Sequence, residues 1–271
     1  MIKDITIGQY YMADSLIHRL DPRMKLVLTL TLIVIIFFCK SFFALGLMAV
    51  FTVVCVLLSR VPVGMVLKSL KGIALILVFT AALNVFYTQG GEEYFRFWKI
   101  VITEKGVNTA VFTAVRIICL VTISSLLTYT TTPTMLTDAL ERLLSPLKVF
   151  KIQVHTLAMM MTLALRFIPT LIEEIERIMN AQKARGADLE TGSVIERAKA
   201  LVPVFVPLMV SSFRRAYELA FAMTCRCYTG GEGRTRLKKM KLALRDFLCL
   251  AATLGVTAGI FVLNFYFPAV I

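Results

Sequence analysis

Residues 26–59 are apolar at nearly every position, and Lys40 is their one charge. Read as a single helix, this run is about 51 Å long, against a hydrocarbon core of about 30 Å. The pattern therefore predicts two short membrane spans meeting near Lys40 and Ser41. Arg60, Pro62, Lys68 and Lys71 then interrupt apolar positions, as in an amphipathic connection on an inner membrane face. A third span is expected over residues 72–87, a charge-balanced loop with interfacial aromatics over 89–105, and a fourth span over 107–130. Arg116 lies inside that fourth span, where it is costly unless it faces protein or a headgroup. A fifth span, residues 247–267, completes the apolar series.

Between the fourth and fifth spans the pattern changes. Pro133 opens a short amphipathic helix that stops near Pro146, with Leu136, Leu140, Leu143 and Leu144 on one side and Asp138, Glu141 and Arg142 on the other. Two long segments follow, residues 154–186 and 194–228. The first is apolar up to Pro169 and charged beyond it, with Glu173 and Arg177 spaced for an i,i+4 pair. The second repeats the arrangement, with Pro203 and Pro207 in its apolar part and Arg214, Arg215 and Glu218 after them. Proline bends a helix by removing a backbone hydrogen bond, which suits segments that cross beneath a membrane rather than through it.

Each long segment ends on a lone arginine. The first closes on Ala181, Ala184, Arg185 and Gly186, the second on Ala222, Cys225, Arg226 and Cys227. A small residue thus stands four positions before each arginine and another directly before it, close to one helical face. A terminal arginine beside a C′ glycine also suits ordinary helix capping. The repetition of the pattern favours a pair of levers that a partner protein grips.

Composition turns these spans into a class. The 271 residues are 58% hydrophobic with a mean hydropathy of +0.79, too apolar for an ordinary soluble domain. The fold expected is all-α and multi-pass, with about five transmembrane helices and a cytoplasmic block of about three helices. Residues 1–130, 131–246 and 247–271 form its three parts. The first 25 residues are polar and mixed in charge, so no cleavable signal is expected. A net charge of +13 raises nucleic acid as a partner, but few aromatics interleave with the basic residues, and membrane topology explains the excess. With the N-terminus inside, 25 of the 30 lysines and arginines fall on the inner face, which places the C-terminus outside. Four of the six cysteines lie in apolar runs, where cysteine behaves as a small hydrophobe rather than a disulfide partner.

The chemistry present is sparse. No G-x-x-x-x-G-K-[ST] loop occurs, and the cluster Gly230, Gly231 and Gly233 reads as a connector, so ATP hydrolysis is expected on another chain. Asp and Glu all lie outside the five spans, which argues against an ion-coupled pump. His18 and His155 have no paired carboxylates nearby in sequence, and Cys225 with Cys227 lacks further ligands. Neither a metal nor another cofactor is expected. The basic run Arg234, Arg236, Lys238, Lys239, Lys241 and Arg245 suits either anionic lipid headgroups or a plain topology anchor. The leading reading is a non-catalytic coupling subunit. A self-sufficient channel or secondary carrier is the alternative, and a membrane-embedded enzyme a third class.

Several stretches together resemble a known family. They are Ser15, His18, Asp21, Pro22 and Lys25; Thr130 to Pro133; Ala164 to Pro169; and Ala181, Gln182, Ala184, Arg185 and Gly186. The family is the transmembrane T-component (EcfT) of energy-coupling factor transporters, a class of ABC importers for vitamins and metal ions, and the likeness covers nearly the whole chain. It implies two ATPase subunits beneath the T-component and a separate S-component that captures substrate at the cell membrane. It also implies that the arginines of two short Ala-Arg-Gly-like motifs insert into grooves on the ATPases. Ala184, Arg185 and Gly186 match the first motif; Cys225, Arg226 and Cys227 stand at the second, with Thr224 where family members often carry an acid. The basic run and the lead-in resemble the form in which one energising module serves several S-components.

Overall fold

The computed structural model describes residues 10–88, 90, 93–97, 100–150, 153–187, 193–230 and 242–267. Trp98, Gly231, Gly233 and the basic run from Arg234 to Lys241 lie outside them. The chain is an all-α multi-pass membrane protein with eight α-helices among the described residues: α1 Pro22–Phe38, α2 Phe42–Ser59, α3 Val63–Tyr87, α4 Glu104–Thr130, α5 Pro133–Leu143, α6 Val154–Ala184, α7 Val194–Cys225 and α8 Leu244–Tyr266. Five of them, α2, α3, α4, α6 and α8, are long and apolar enough to cross a membrane. The 17-residue α1 is apolar from Leu26 onward.

Local chemistry sets the helix starts. Asp21 caps α1 by accepting from the Arg23 N–H, and Pro22 occupies the first turn, where no N–H is needed. Ser41 caps α2 through the Ala44 N–H, and Thr103 caps α4 through that of Gly106. Ser193 and Glu196 cap α7 reciprocally. The break at Cys39–Ser41 falls where the two-span reading put it. Inside an apolar run such a break frees backbone groups that lipid cannot satisfy. Asn264 of α8 meets them: its Oδ1 accepts from the Lys40 and Ser41 N–H groups at 3.1 and 3.4 Å, and its Nδ2 donates to the Phe38 carbonyl at 2.7 Å. Arg116 donates to the Cys39 carbonyl at 2.8 Å and lies over the Phe112 ring, so it faces protein.

Three expectations are corrected. The amphipathic connection is not separate from the third span, because after Pro62 nothing breaks the helix and α3 runs unbroken from Val63. The loop between α3 and α4 contains an antiparallel hairpin, β1 Glu93–Phe97 with β2 Ile100–Thr103, pairing Phe95 with Ile102 and Phe97 with Ile100. The Glu173–Arg177 pair does not form; the neighbouring Glu174 instead meets Arg215 of α7 at 3.4 Å.

Two compact units emerge. One holds α1–α4, the hairpin and α8. Its core is Leu32, Ile35 and Ile36 of α1, Leu45 and Met48 of α2, Phe112 and Ile123 of α4 and Ile260 of α8. Gly106 lets α4 start hard against the end of α3, where a Cβ would stand 3.1 Å from the Val85 and Thr88 carbonyl oxygens. Outside that core the spans expose apolar residues, Leu75, Val78 and Phe79 of α3 among them, the pattern a bilayer covers. The other unit contains α6 and α7, which pack against each other.

Candidate coupling tips

The α6 and α7 contacts fix their relative direction. Gln182 of α6 donates to the Pro203 carbonyl of α7, Glu174 accepts from Ser211 and Arg215, and Tyr228 meets Met159 at 2.9 Å. As numbers fall along α6 they rise along α7, so the helices are antiparallel. Arg185 and Arg226 therefore lie at opposite ends of the pair, roughly 40 Å apart along it at 1.5 Å per residue.

Both helices stop in the same way. In α6, Arg185 is the C-cap and Gly186 takes φ +87°; the Gly186 N–H donates to the Lys183 carbonyl and the Ala187 N–H to that of Gln182, both at 3.0 Å. In α7, Arg226 is the C-cap and Cys227 takes φ +52°; the Cys227 N–H donates to Thr224 at 2.9 Å and the Tyr228 N–H to Met223 at 3.0 Å. Each is a Schellman end, in which backbone N–H groups satisfy the last carbonyls. The guanidinium groups are thus not needed as caps. Among the described residues neither Arg185 nor Arg226 has a side-chain hydrogen-bond or ion-pair partner. Ala184, Arg185, Gly186, Cys225, Arg226 and Cys227 are all exposed, as are Ala181 and Ala222 behind them. A rigid helix end carrying a free fork of five donors can engage carboxylates or carbonyls on another chain.

A second constellation was visible in sequence only as matching letters. Ser15, Asp21, Lys25 and Asp246 are each at most 6% exposed, and together they tie four segments. Lys25 donates to the His18 carbonyl at 3.1 Å and to the Thr130 carbonyl, at the end of α4, at 2.9 Å. Asp246, in the first turn of α8, accepts from the Asp21 N–H at 2.9 Å and from the Ala243 N–H at 2.7 Å. His18 Nε2 stands 2.9 Å from the Tyr11 carbonyl, and Nδ1 stands 2.7 Å from Ser15 Oγ. The Tyr11 carbonyl can only accept, so Nε2 carries a proton, while the Ser15 hydroxyl accepts from the His18 N–H and can donate to Nδ1 of the neutral ring. Burial, with Lys25 nearby, holds the His18 pKa below its ordinary value against the opposing Tyr11 carbonyl. The signal that could have found Asp246 was its place in the first helical turn, where an acid satisfies free N–H groups.

His155 bonds Glu141 at 2.9 Å. Among the described residues no group of three or more His, Cys, Asp or Glu side chains is placed to hold a metal.

These features define a polytopic helical membrane protein with a buried polar lead-in and a long antiparallel helix pair ending in two free arginines. The cobalt transport protein family (CbiQ) matches residues 13–237. Three similar proteins each carry the name energy-coupling factor transporter transmembrane protein EcfT. That of Ruminiclostridium cellulolyticum is 46% identical over 98% of this chain and 100% of its own length. That of Clostridium kluyveri is 51% identical over 92% of each, and that of Bacillus subtilis 43% identical over 97% and 100%. The chain belongs to this family of transmembrane components of energy-coupling factor transporters.

Proposed function

We propose that this chain is the energising subunit of an energy-coupling factor importer for a vitamin or metal ion, passing the motion of two separate ATPase subunits to a substrate-binding S-component. Arg185 and Arg226 are the docking tips, and ATP is hydrolysed on the partner chains. The carrying observation is that both guanidiniums are released from capping by Schellman ends and stand at opposite ends of one helix pair. Two tips roughly 40 Å apart suit two separate grooves rather than one. The basic bias supports an N-terminal side and an α6–α7 block inside the cell.

Arg185→Glu with Arg226→Glu is the test. The doubly reversed protein should still reach the membrane but lose co-purifying ATPases and transport, with each single change milder. Losing a buried charge-assisted contact costs about 2–5 kcal/mol. A double variant that retained its ATPases and imported at the normal rate would end the docking reading.

A further inference from the structure

An open cavity of about 430 Å³ lies beside the end of α2. Arg19, Arg60 and Arg245 enter its wall from three separate stretches of chain. Among the described residues the one acid in the wall is Asp14, which Arg19 engages at 3.3 Å. Asp246, next to Arg245 in sequence, already accepts from two backbone N–H groups. Arg60 makes a long 3.4 Å contact with the Asp14 carbonyl, and Arg245 has no side-chain partner among the described residues. Three cations thus face one acid, a wall with excess positive charge.

One detail adds to that charge. Arg245 stands in the first turn of α8, where the helix dipole is itself positive. Arg60 is the left-handed C-cap of α2, φ +54°, with its N–H returned to the Leu57 carbonyl, so the chain turns there as helix ends commonly do. The rest of the wall identifies the source of the anion. Leu57 and Leu58 line the cavity, and an exposed apolar strip continues from them along α2 through Val54, Val53 and Val50. Free phosphate or a soluble phosphate ester would use the arginines and leave the strip idle. A phospholipid uses both.

We propose that this pocket binds the phosphodiester headgroup of an anionic membrane phospholipid, with an acyl chain lying along the Val50-to-Leu57 strip. The site is independent of the arginine tips and rests only on the membrane character of the chain. It takes the headgroup at Arg60 and Arg245, while Arg19 stays neutralised by Asp14.

The full-length protein, reconstituted in equimolar phosphatidylglycerol and phosphatidylcholine and then released for native mass spectrometry, should retain phosphatidylglycerol in clear excess. Arg60→Gln with Arg245→Gln should cut that enrichment by about fivefold per arginine, and excess inorganic phosphate should leave it unchanged. Arg245→Gln alone, at an exposed position, should lower it by a single such step and serves if the double variant does not fold. Equal retention of both lipids by the wild type, undiminished enrichment in the folded variants, or displacement of the lipid by inorganic phosphate would each overturn the proposal.

Discussion

At the scale of single residues the two tips differ in one respect. Gly186 reaches φ +87° without a side-chain penalty, whereas Cys227 reaches φ +52° with a Cβ that crowds the following carbonyl. Cys227→Gly should therefore stabilise the α7 end by about 1 kcal/mol. Amide exchange at Cys227 and Tyr228 should slow by about fivefold, and Gly186→Ala should speed exchange at the α6 end by a similar factor. Unchanged exchange in Cys227→Gly would mean that the left-handed cysteine is not strained. These ends were legible in the sequence because capping is local chemistry: a small residue, an arginine and a C′ position lie within a few residues of each other. Glu173 was misassigned to Arg177 because spacing along one helix says nothing about a neighbour, and the neighbour took Glu174 instead.

At the scale of elements, the helices were readable from apolar runs and their breaks, and α6 and α7 begin at Val154 and Val194 as the pattern predicted. The five helices long and apolar enough to cross a membrane differ from the expected spans, because they include α6, expected beneath the membrane, and leave out the shorter α1. What was not readable was pairing: the antiparallel arrangement of α6 and α7, the hairpin, and the tie between the lead-in and α8, which lies 225 residues along the chain. The lead-in carries its own prediction. Its histidine is held neutral, with Lys25, Asp14 and the Tyr10 ring as neighbours. A folded pKa below 6.5 means that the released segment binds the proton more readily. Docking of residues 15–20 should thus be strongest above pH 6.5 and weaken as pH falls from there toward the lowered value. Exchange of these amides at about pH 7.5 and about pH 5.5 checks it, and His18→Gln should flatten the response. Protection that grew on acidification would contradict the neutral-ring network.

At the scale of the whole molecule, the distribution of charge predicts which face each end occupies. In intact cells a membrane-impermeant thiol reagent should reach Lys40→Cys in the α1–α2 break. It should reach native Cys225 and Cys227 only after permeabilisation, with the Cys225→Ala, Cys227→Ala background as control. Labelling with the two accessibilities exchanged would reverse the orientation proposed above.

The antiparallel run of α6 and α7 has a mechanical consequence. The Glu174 contact with Ser211 and Arg215 falls near the middle of the stretch between the two tips. Arg185 lies about 17 Å from it along α6, and Arg226 about 20 Å from it along α7. Two nearly equal arms on either side of one contact make a balanced beam. If the tips dock as proposed, opposed pushes at the two arginines would cancel as translation and add as torque about the middle of the pair.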